Sequence, residues 1–235
     1  MIKDEKQMSD TFLNCSFLAL SGGFQDAYTY IVRDQVFSNA QTGNVVLMSH
    51  HLFMGEWSQG LQYLFPLMAF AIGVFVAERI QSRFQFAKRL HWRQGILLIE
   101  MVILILVGFM PLAWNLVATS LVSFACAMQV QAFRKVNGYQ YASTMCIGNL
   151  RSGTAALSEY LRERRREQLL QTVYYFGIIA VFAVGAGVGG NLSLRFGVRT
   201  IWCCVLLLGV SFLIMGKYGL SHGRNHIRRG RKVRK

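Results

Sequence analysis

The sequence predicts an all-α polytopic membrane protein, a bundle of six transmembrane helices built as two inverted three-span repeats. Three observations lead to this prediction. Apolar residues gather in runs of about 18 to 24, the length at which a helix crosses the hydrocarbon layer. Basic residues are concentrated in alternate connecting segments, and polar motifs of the first half return in the second. The 235 residues are 53% hydrophobic and include only two prolines, which does not suit a soluble domain.

Six apolar runs are long enough for full crossings. They cover residues 11–32, 61–78, 95–113, 115–136, 169–190 and 200–219. Two further apolar segments, 41–54 and 141–157, are too short or too polar for a crossing. We predict that they are re-entrant or interfacial, unless they cross together as a pair. A transmembrane barrel is excluded because alternating segments of about ten residues do not occur.

The distribution of positive charge predicts the orientation of the bundle. With the first segment inside, inner segments hold 22 of the 25 Lys and Arg residues. These segments are 1–10, 79–94, 134–168 and the chain from residue 217 onward. Because cytoplasmic loops carry excess Lys and Arg, we predict a multi-pass membrane protein with both termini in the cytoplasm.

The two halves of the chain resemble each other. Thr42-Gly43-Asn44 aligns with Ile147-Gly148-Asn149 at an offset of 105 residues, and Ser38 then aligns with Ser143. The string FAIGVFV from Phe70 aligns with FAVGAGV from Phe182 at an offset of 112.

Each repeat holds three crossings, so the second repeat enters the membrane from the opposite side. Inverted repeats of this kind are common in secondary transporters and occur in some channels. We therefore predict a single integral membrane domain over 1–235. Repeat one covers about 11–113, repeat two about 115–219, and a basic cytoplasmic tail 220–235.

Asp26 lies in the first apolar run, after the pair Gly22-Gly23, which we expect to break the helix. A carboxylate at mid-membrane costs about 2.5–3.5 kcal/mol on insertion scales and needs a partner, water or a role. Two readings remain open. Asp26 either caps the helical segment that restarts after the glycines, or belongs to a solute or coupling-ion pathway. The alignment pairs it with the uncharged Gln131.

Glu100 lies in the apolar string GILLIEMVILILVGFM, about 9 Å deep at ~1.5 Å per residue. The surrounding Leu, Ile and Val residues offset its insertion cost. It either relays protons or makes a structural hydrogen bond, and it is either paired with a cation or held protonated.

The repeated Gly-Asn motif predicts where two short helices begin. Thr and Asn side chains accept hydrogen bonds from the free amides of a helix, and Gly lets the backbone turn. If such a helix starts inside the membrane, its amides and dipole favour an anion or carboxylate in a cavity. The alternative is an interfacial turn without a ligand.

Other motifs in the chain do not indicate catalysis or cofactor binding. The GxGxxG string at 185–190 lacks the strand and acidic residue of a dinucleotide site and is typical of close helix packing. The five Cys and the His pairs lack metal-ligand spacing, and no nucleophile–base pair occurs. We predict no enzyme activity, no cofactor and no metal. The net charge of +14 indicates anchoring on anionic lipid headgroups rather than nucleic-acid binding.

The strings GGFQDAYTYIVRDQVFSNAQTGNVVLMS and AMQVQAFRKVNGYQYASTMCIGNLRSG together resemble the YoaK-like family of bacterial membrane proteins, a domain of unknown function. The resemblance covers nearly the whole chain. It implies a protein of a bacterial inner (cytoplasmic) membrane with several spans, and no established substrate or reaction. The first string keeps the family elements Asp26-Ala27 and Thr42-Gly43-Asn44, whereas Ile147 stands where a Thr is usual in the second.

The function we predict is a small-solute transporter or channel with a polar site between the repeats. The residues expected at the solute or ion pathway are Asp26, Thr42, Gly43, Asn44, Glu100, Gln129, Gln131, Gly148 and Asn149. One alternative is a non-transporting membrane protein that recruits partners or anionic lipids through its basic tail. Another is an intramembrane enzyme acting on lipid through Cys146 or Asp26. The partners expected are the lipid bilayer and an unidentified small solute.

Overall fold

A computed structural model describes residues 8–85 and 91–216, which form eight α-helices joined by short connections. The helices are α1 (Phe12–Val32), α2 (Gln41–Phe53), α3 (Trp57–Phe84), α4 (Trp92–Phe109), α5 (Asn115–Ala132), α6 (Cys146–Glu163), α7 (Arg166–Phe196) and α8 (202–216). Three 3-10 turns, Met8–Asp10, Leu112–Trp114 and Gly197–Ile201, precede α1, α5 and α8. The basic tail lies outside the described residues.

Four helical segments within residues 8–85 and 91–216 are long and apolar enough to cross a membrane. They are Trp57–Phe84, Trp92–Phe109, Leu112–Ala132 and Arg166–Gly216, the last of which includes both α7 and α8. Helix α1 is not among them because Asn14, Gln25 and Asp26 lower its hydropathy. Large apolar side chains such as Phe65, Ile72 and Phe75 are exposed on the outer face of α3, as expected for contact with lipid. The chain therefore has the helical architecture of a membrane protein.

The predicted break at Gly22-Gly23 is wrong, because α1 is a continuous helix through both residues. The two glycines instead permit close packing. A Cβ atom on Gly23 would overlap the carbonyl oxygen of Phe182 in α7, and one on Gly185 would overlap the carbonyl oxygen of Leu20 in α1. The backbones of α1 and α7 thus touch, as small residues four apart allow in lipid.

Helices α3 and α5 cross in the same way. A Cβ atom on Gly73 in α3 would overlap the carbonyl oxygen of Phe124 in α5. Gly73 and Gly185 lie 112 residues apart, and Leu20 and Phe124 lie 104 apart. One close contact between glycine and carbonyl therefore occurs twice, each time between a helix of the first half and a helix of the second.

The region between α5 and α6 differs from the sequence prediction. The fourth run was expected to be helical to residue 136, but α5 ends at Ala132 and a β-hairpin follows. Its strands pair Lys135 with Gln140 and Val136 with Tyr139 around Asn137 and Gly138, both at positive φ. An Asn-Gly pair between two strands is the usual signal of a tight hairpin, so KVNGYQ carried this information. Helix α6 then runs to Glu163, beyond the predicted 157.

Candidate functional site

The segments that lead into the two short helices, α2 and α6, are held by the same asparagine device. The Oδ1 atom of Asn44 accepts from Phe37 N at 3.0 Å, and its Nδ2 donates to Phe37 O at 2.7 Å. The Oδ1 atom of Asn149 accepts from Ala142 N at 3.3 Å, and its Nδ2 donates to Ala142 O at 2.7 Å. Both asparagines are buried, and each holds the backbone seven residues before it.

This device differs from the predicted helix cap. The N-cap residues of α2 and α6 are Ala40 and Met145, and neither side chain makes a capping bond. The asparagines lie inside the first turn of each helix and bind the backbone ahead of it, because a short amide can close a loop as a backbone pair would. Thr42 and Gly148 are exposed. Gly43 lies beside the Phe37 ring, about 3.1 Å from where its Cβ would be.

Both leading segments meet α1 at its central residue, Gly22. The Nδ2 atom of Asn39 donates to the carbonyl oxygen of Gly22 at 3.3 Å. On the second segment, the methyl group of Thr144 fills the space that a Cβ on Gly22 would need. The amino-terminal ends of α2 and α6 therefore converge near the middle of the bundle.

Asp26 belongs to α1, and its buried side chain lies beside the segment that leads into α2. Its Oδ1 atom accepts from Asn39 N at 2.6 Å and from Ser38 Oγ at 3.0 Å. The carboxyl group thus holds the segment before α2 rather than capping its own helix. The amino terminus of a helix favours an anion, and the sequence predicted an anionic ligand at the start of α2. In the structure, the carboxyl group of Asp26 lies at this position.

Glu100 is fully buried between α1 and α5. Gln25 Nε2 donates to Glu100 Oε1 at 3.1 Å. The amide of Gln129 can be oriented so that its nitrogen lies 3.2 and 3.3 Å from the two carboxyl oxygens while its oxygen accepts from Ser143 Oγ at 3.1 Å. Amide orientation is assigned from the hydrogen-bond network, and this orientation gives a carboxylate at Glu100 a donor and the Ser143 hydroxyl an acceptor. Two glutamine amides then hold one carboxyl group.

Further hydrogen bonds fix the Gln25 amide. Its oxygen accepts from the thiol of Cys126 at 2.8 Å, and its nitrogen also donates to Ser21 Oγ at 3.0 Å. Gln25 and Gln129 lie 104 residues apart, the same separation as Leu20 and Phe124. Gln25 on α1 and Gln129 on α5 therefore bind the same carboxyl group from two sides.

Gln131 does not join this centre. It is on the surface, where its amide donates to the carboxylate of Glu78, and the guanidinium of Arg134 binds the same carboxylate at 2.6 Å. Of the nine residues predicted at the pathway, five are buried: Asp26, Glu100 and Gln129 on α1, α4 and α5, and Asn44 and Asn149 on α2 and α6. Gln131 lies outside this group.

Arg33 is a buried residue that the sequence analysis treated only as an outer charge. Its guanidinium donates to the carbonyl oxygens of Val107 (2.9 Å), Met110 (3.0 Å) and Pro111 (3.2 Å), and to Asn115 Oδ1 (3.0 Å). These carbonyls end α4 and begin the turn to α5, where a cation is favoured by the helix dipole. The only signal in the sequence was the position of Arg33 directly after an apolar run.

The fold and this centre define a class: a helical membrane protein with buried carboxyl and amide groups where two short helices meet. Within residues 8–85 and 91–216, no three His, Cys, Asp or Glu side chains are grouped so that they could hold a metal ion. The chain belongs to DUF1275, a family of proteins of unknown function, which it matches over residues 15–214. No curated protein and no solved structure matches it.

Proposed function

We propose that this protein is a secondary transporter of a small solute, with six crossings in two inverted repeats. One observation carries the proposal: the amino-terminal ends of α2 and α6 converge on Gly22, at mid-length of α1, beside the buried Asp26 and Glu100. Transporters built from inverted repeats bind solutes near the bilayer midplane, where short helices end. The recurrent glycine–carbonyl contacts and asparagine devices support the repeat.

The proposed orientation rests on charge. Segments 79–94 and 134–168 are rich in Lys and Arg, whereas the turns near Arg33 and Arg199 are not. We propose that the basic side faces the cytoplasm of a bacterium, in its inner membrane and with anionic lipid headgroups against the basic loops, in keeping with the resemblance to the YoaK-like family. Helices α2 and α6 would then enter from opposite sides as re-entrant pieces.

The buried centre corresponds to a closed state. Asp26, Glu100 and Gln129 are almost inaccessible to solvent, so a solute could reach them only after the helices move. The close contacts between α1 and α7 and between α3 and α5 join each half to the other along two seams. Rocking of the two halves along these seams would open the centre to one side at a time.

Reconstitution into liposomes tests the proposal. We would measure uptake of labelled amino acids, organic acids, sugars and inorganic anions, each with and without an imposed proton gradient. We expect uptake of at least one solute class above that of empty liposomes. The double variant Asp26→Asn/Asn44→Ala should reduce it at least tenfold, and Gln131→Ala should leave it unchanged, since this side chain is on the surface.

Two outcomes would contradict the proposal. Uptake that is unchanged in the double variant would disprove the site assignment, and absence of uptake for every solute class would disprove transport.

The alternative function, recruitment of partners or anionic lipids by the basic tail, has a separate test: deletion of residues 222–235. Loss of cellular function with uptake intact favours the tail. We expect no enzyme activity; release of lipid products that stops on Cys146→Ala would overturn that expectation.

A further inference from the structure

Glu100 on α4 is a carboxyl group in the interior of the bundle that could bind a proton. It is fully buried, and no ion pair joins it to a basic side chain within the described residues. The titratable groups around it are Asp26 on α1, Cys126 on α5 and Cys204 on α8. A buried charge without a counter-ion is costly, whereas a neutral carboxyl group is not.

Gln129 can match either protonation state of Glu100 without any movement of heavy atoms apart from its own amide. With the amide nitrogen toward Glu100, the carboxylate accepts at 3.2 and 3.3 Å and the amide oxygen accepts from Ser143. With the amide oxygen toward Glu100, two acceptors face each other unless the carboxyl group carries a proton to donate. The amide nitrogen then donates to Ser143 Oγ at 3.1 Å and to Leu18 O at 3.4 Å.

We propose that Glu100 is a reversible proton-binding site and that the Gln129 amide turns over with each proton, passing the change to Ser143. The step takes one proton from water and forms one O–H bond on the carboxyl group. No other covalent bond changes, because the amide only rotates. If proton binding at Glu100 is the coupling step of a transporter, that part of the inference rests on the function proposed above. Proton binding itself can be measured without transport.

Protonation of Glu100 changes the hydrogen bonds of the segment before α6. Ser143 donates its hydroxyl hydrogen to Gln129 when Glu100 is a carboxylate, and accepts from Gln129 when Glu100 is protonated. In the second state the hydroxyl hydrogen must find another acceptor. The adjacent Thr144 packs against Gly22 at the centre of α1, so a change at Ser143 acts where the two short helices meet.

The segment before α2 is connected to Glu100 less directly and provides an internal comparison. Its serine, Ser38, donates to the Asp26 carboxyl group. It reaches Glu100 only through Cys126 and Gln25, with no amide that must turn over. Protonation of Glu100 should therefore alter the segment at 141–149 more than the segment at 36–44.

Infrared difference spectroscopy on the reconstituted protein tests the proton site. On acidification we expect the C=O stretching band of a protonated carboxyl group in a dry environment. The band should shift in protein made with isotope-labelled glutamate and stay in place with isotope-labelled aspartate. Labelling leaves the fold intact, so the result does not depend on a variant that folds. A shift with labelled aspartate, or no band at all, would overturn the proposal.

Two variants test the role of Gln129. Glu100→Gln should abolish the band, and Asp26→Asn should retain it. Gln129→Leu removes a donor that stabilises the carboxylate more than the neutral acid, so the midpoint of the band should rise by about one pH unit. An unmoved midpoint would show that Gln129 does not follow the proton.

Hydrogen–deuterium exchange tests the relay to Ser143. After correction for intrinsic exchange, the 141–149 segment should change its protection across the same pH range as the band, and the 36–44 segment should change less. Equal changes in both segments, or none in the first, would contradict the relay. Failure of every solute to be taken up would overturn the transport proposal while leaving the band and the exchange result intact, so the two proposals can fail separately.

Discussion

Asn44 and Asn149 lie 105 residues apart and make the same two hydrogen bonds, each to the backbone seven residues before it. The surrounding sequences differ, since Thr42 corresponds to Ile147 and Phe37 to Ala142. What the two halves share is a device that needs one amide side chain and one free peptide group. A geometric requirement of this kind preserves an asparagine while neighbouring positions vary.

Replacing either asparagine by alanine should destabilise the protein by similar amounts. Each substitution leaves a buried backbone N–H and C=O group without a partner, at a cost of about 1–3 kcal/mol per group. Thermal unfolding in detergent measures the effect. Asn191→Ala is the matched control, because this asparagine is exposed and bonds only within its own helix. A melting temperature unchanged in both Asn44→Ala and Asn149→Ala would contradict the structural role.

The contact of α1 with α7 predicts opposite effects at two glycines. Gly23→Ala places a methyl group against the Phe182 carbonyl oxygen, so the helices must separate, at about 1–3 kcal/mol. Gly187→Ala has open space around its Cβ position and should be neutral or slightly stabilising, by up to about 1 kcal/mol. Thermal unfolding of the two variants, measured side by side, tests this difference. Equal melting temperatures for the two variants would disprove the close contact.

Arg33 should resist even conservative replacement. Arg33→Lys keeps the charge but cannot reach three carbonyl oxygens and Asn115 together, because an ammonium group lacks the planar fork of a guanidinium. We expect a loss of about 2 kcal/mol or more and a lower yield of folded protein. Arg199→Lys is the control, since Arg199 is exposed. Size-exclusion profiles of the two variants on heating provide the comparison.

His91 at the start of α4 predicts a small pH dependence of stability. Partial burial lowers the pKa of His91, and the nearby Arg93 guanidinium lowers it further. The neutral ring also accepts from Arg93 N at 3.4 Å. A base whose folded pKa lies below its unfolded value of about 6.5 costs stability as pH falls through that value. Wild type should therefore lose more stability on acidification from pH 7.5 than His91→Asn, which keeps an acceptor that does not titrate.

The sequence by itself determined the class of fold and much of its arrangement. Run length predicted six helices near the positions where the structure has them, because crossing length is set by the bilayer and not by tertiary contacts. The recurring Gly-Asn pairs predicted a relation between Asn44 and Asn149, and the structure has the same hydrogen bonds at both. Asp26, Asn44, Glu100, Gln129 and Asn149, which the sequence predicts at the pathway, are all buried in the structure; their role in a pathway stays a prediction.

Only the tertiary structure decided how those residues are connected. Four features depend on contacts between residues far apart in the sequence, such as Gly23 with Phe182 and Gln25 with Glu100. They are the unbroken α1, the binding of Glu100 by both Gln25 and Gln129, the position of Gln131 on the surface and the burial of Arg33. Sequence spacing reports the face of a helix but not the neighbour that covers it. The sequence shows that Glu100 lies in an apolar run. It does not show that the amides of Gln25 on α1 and Gln129 on α5 bind this glutamate.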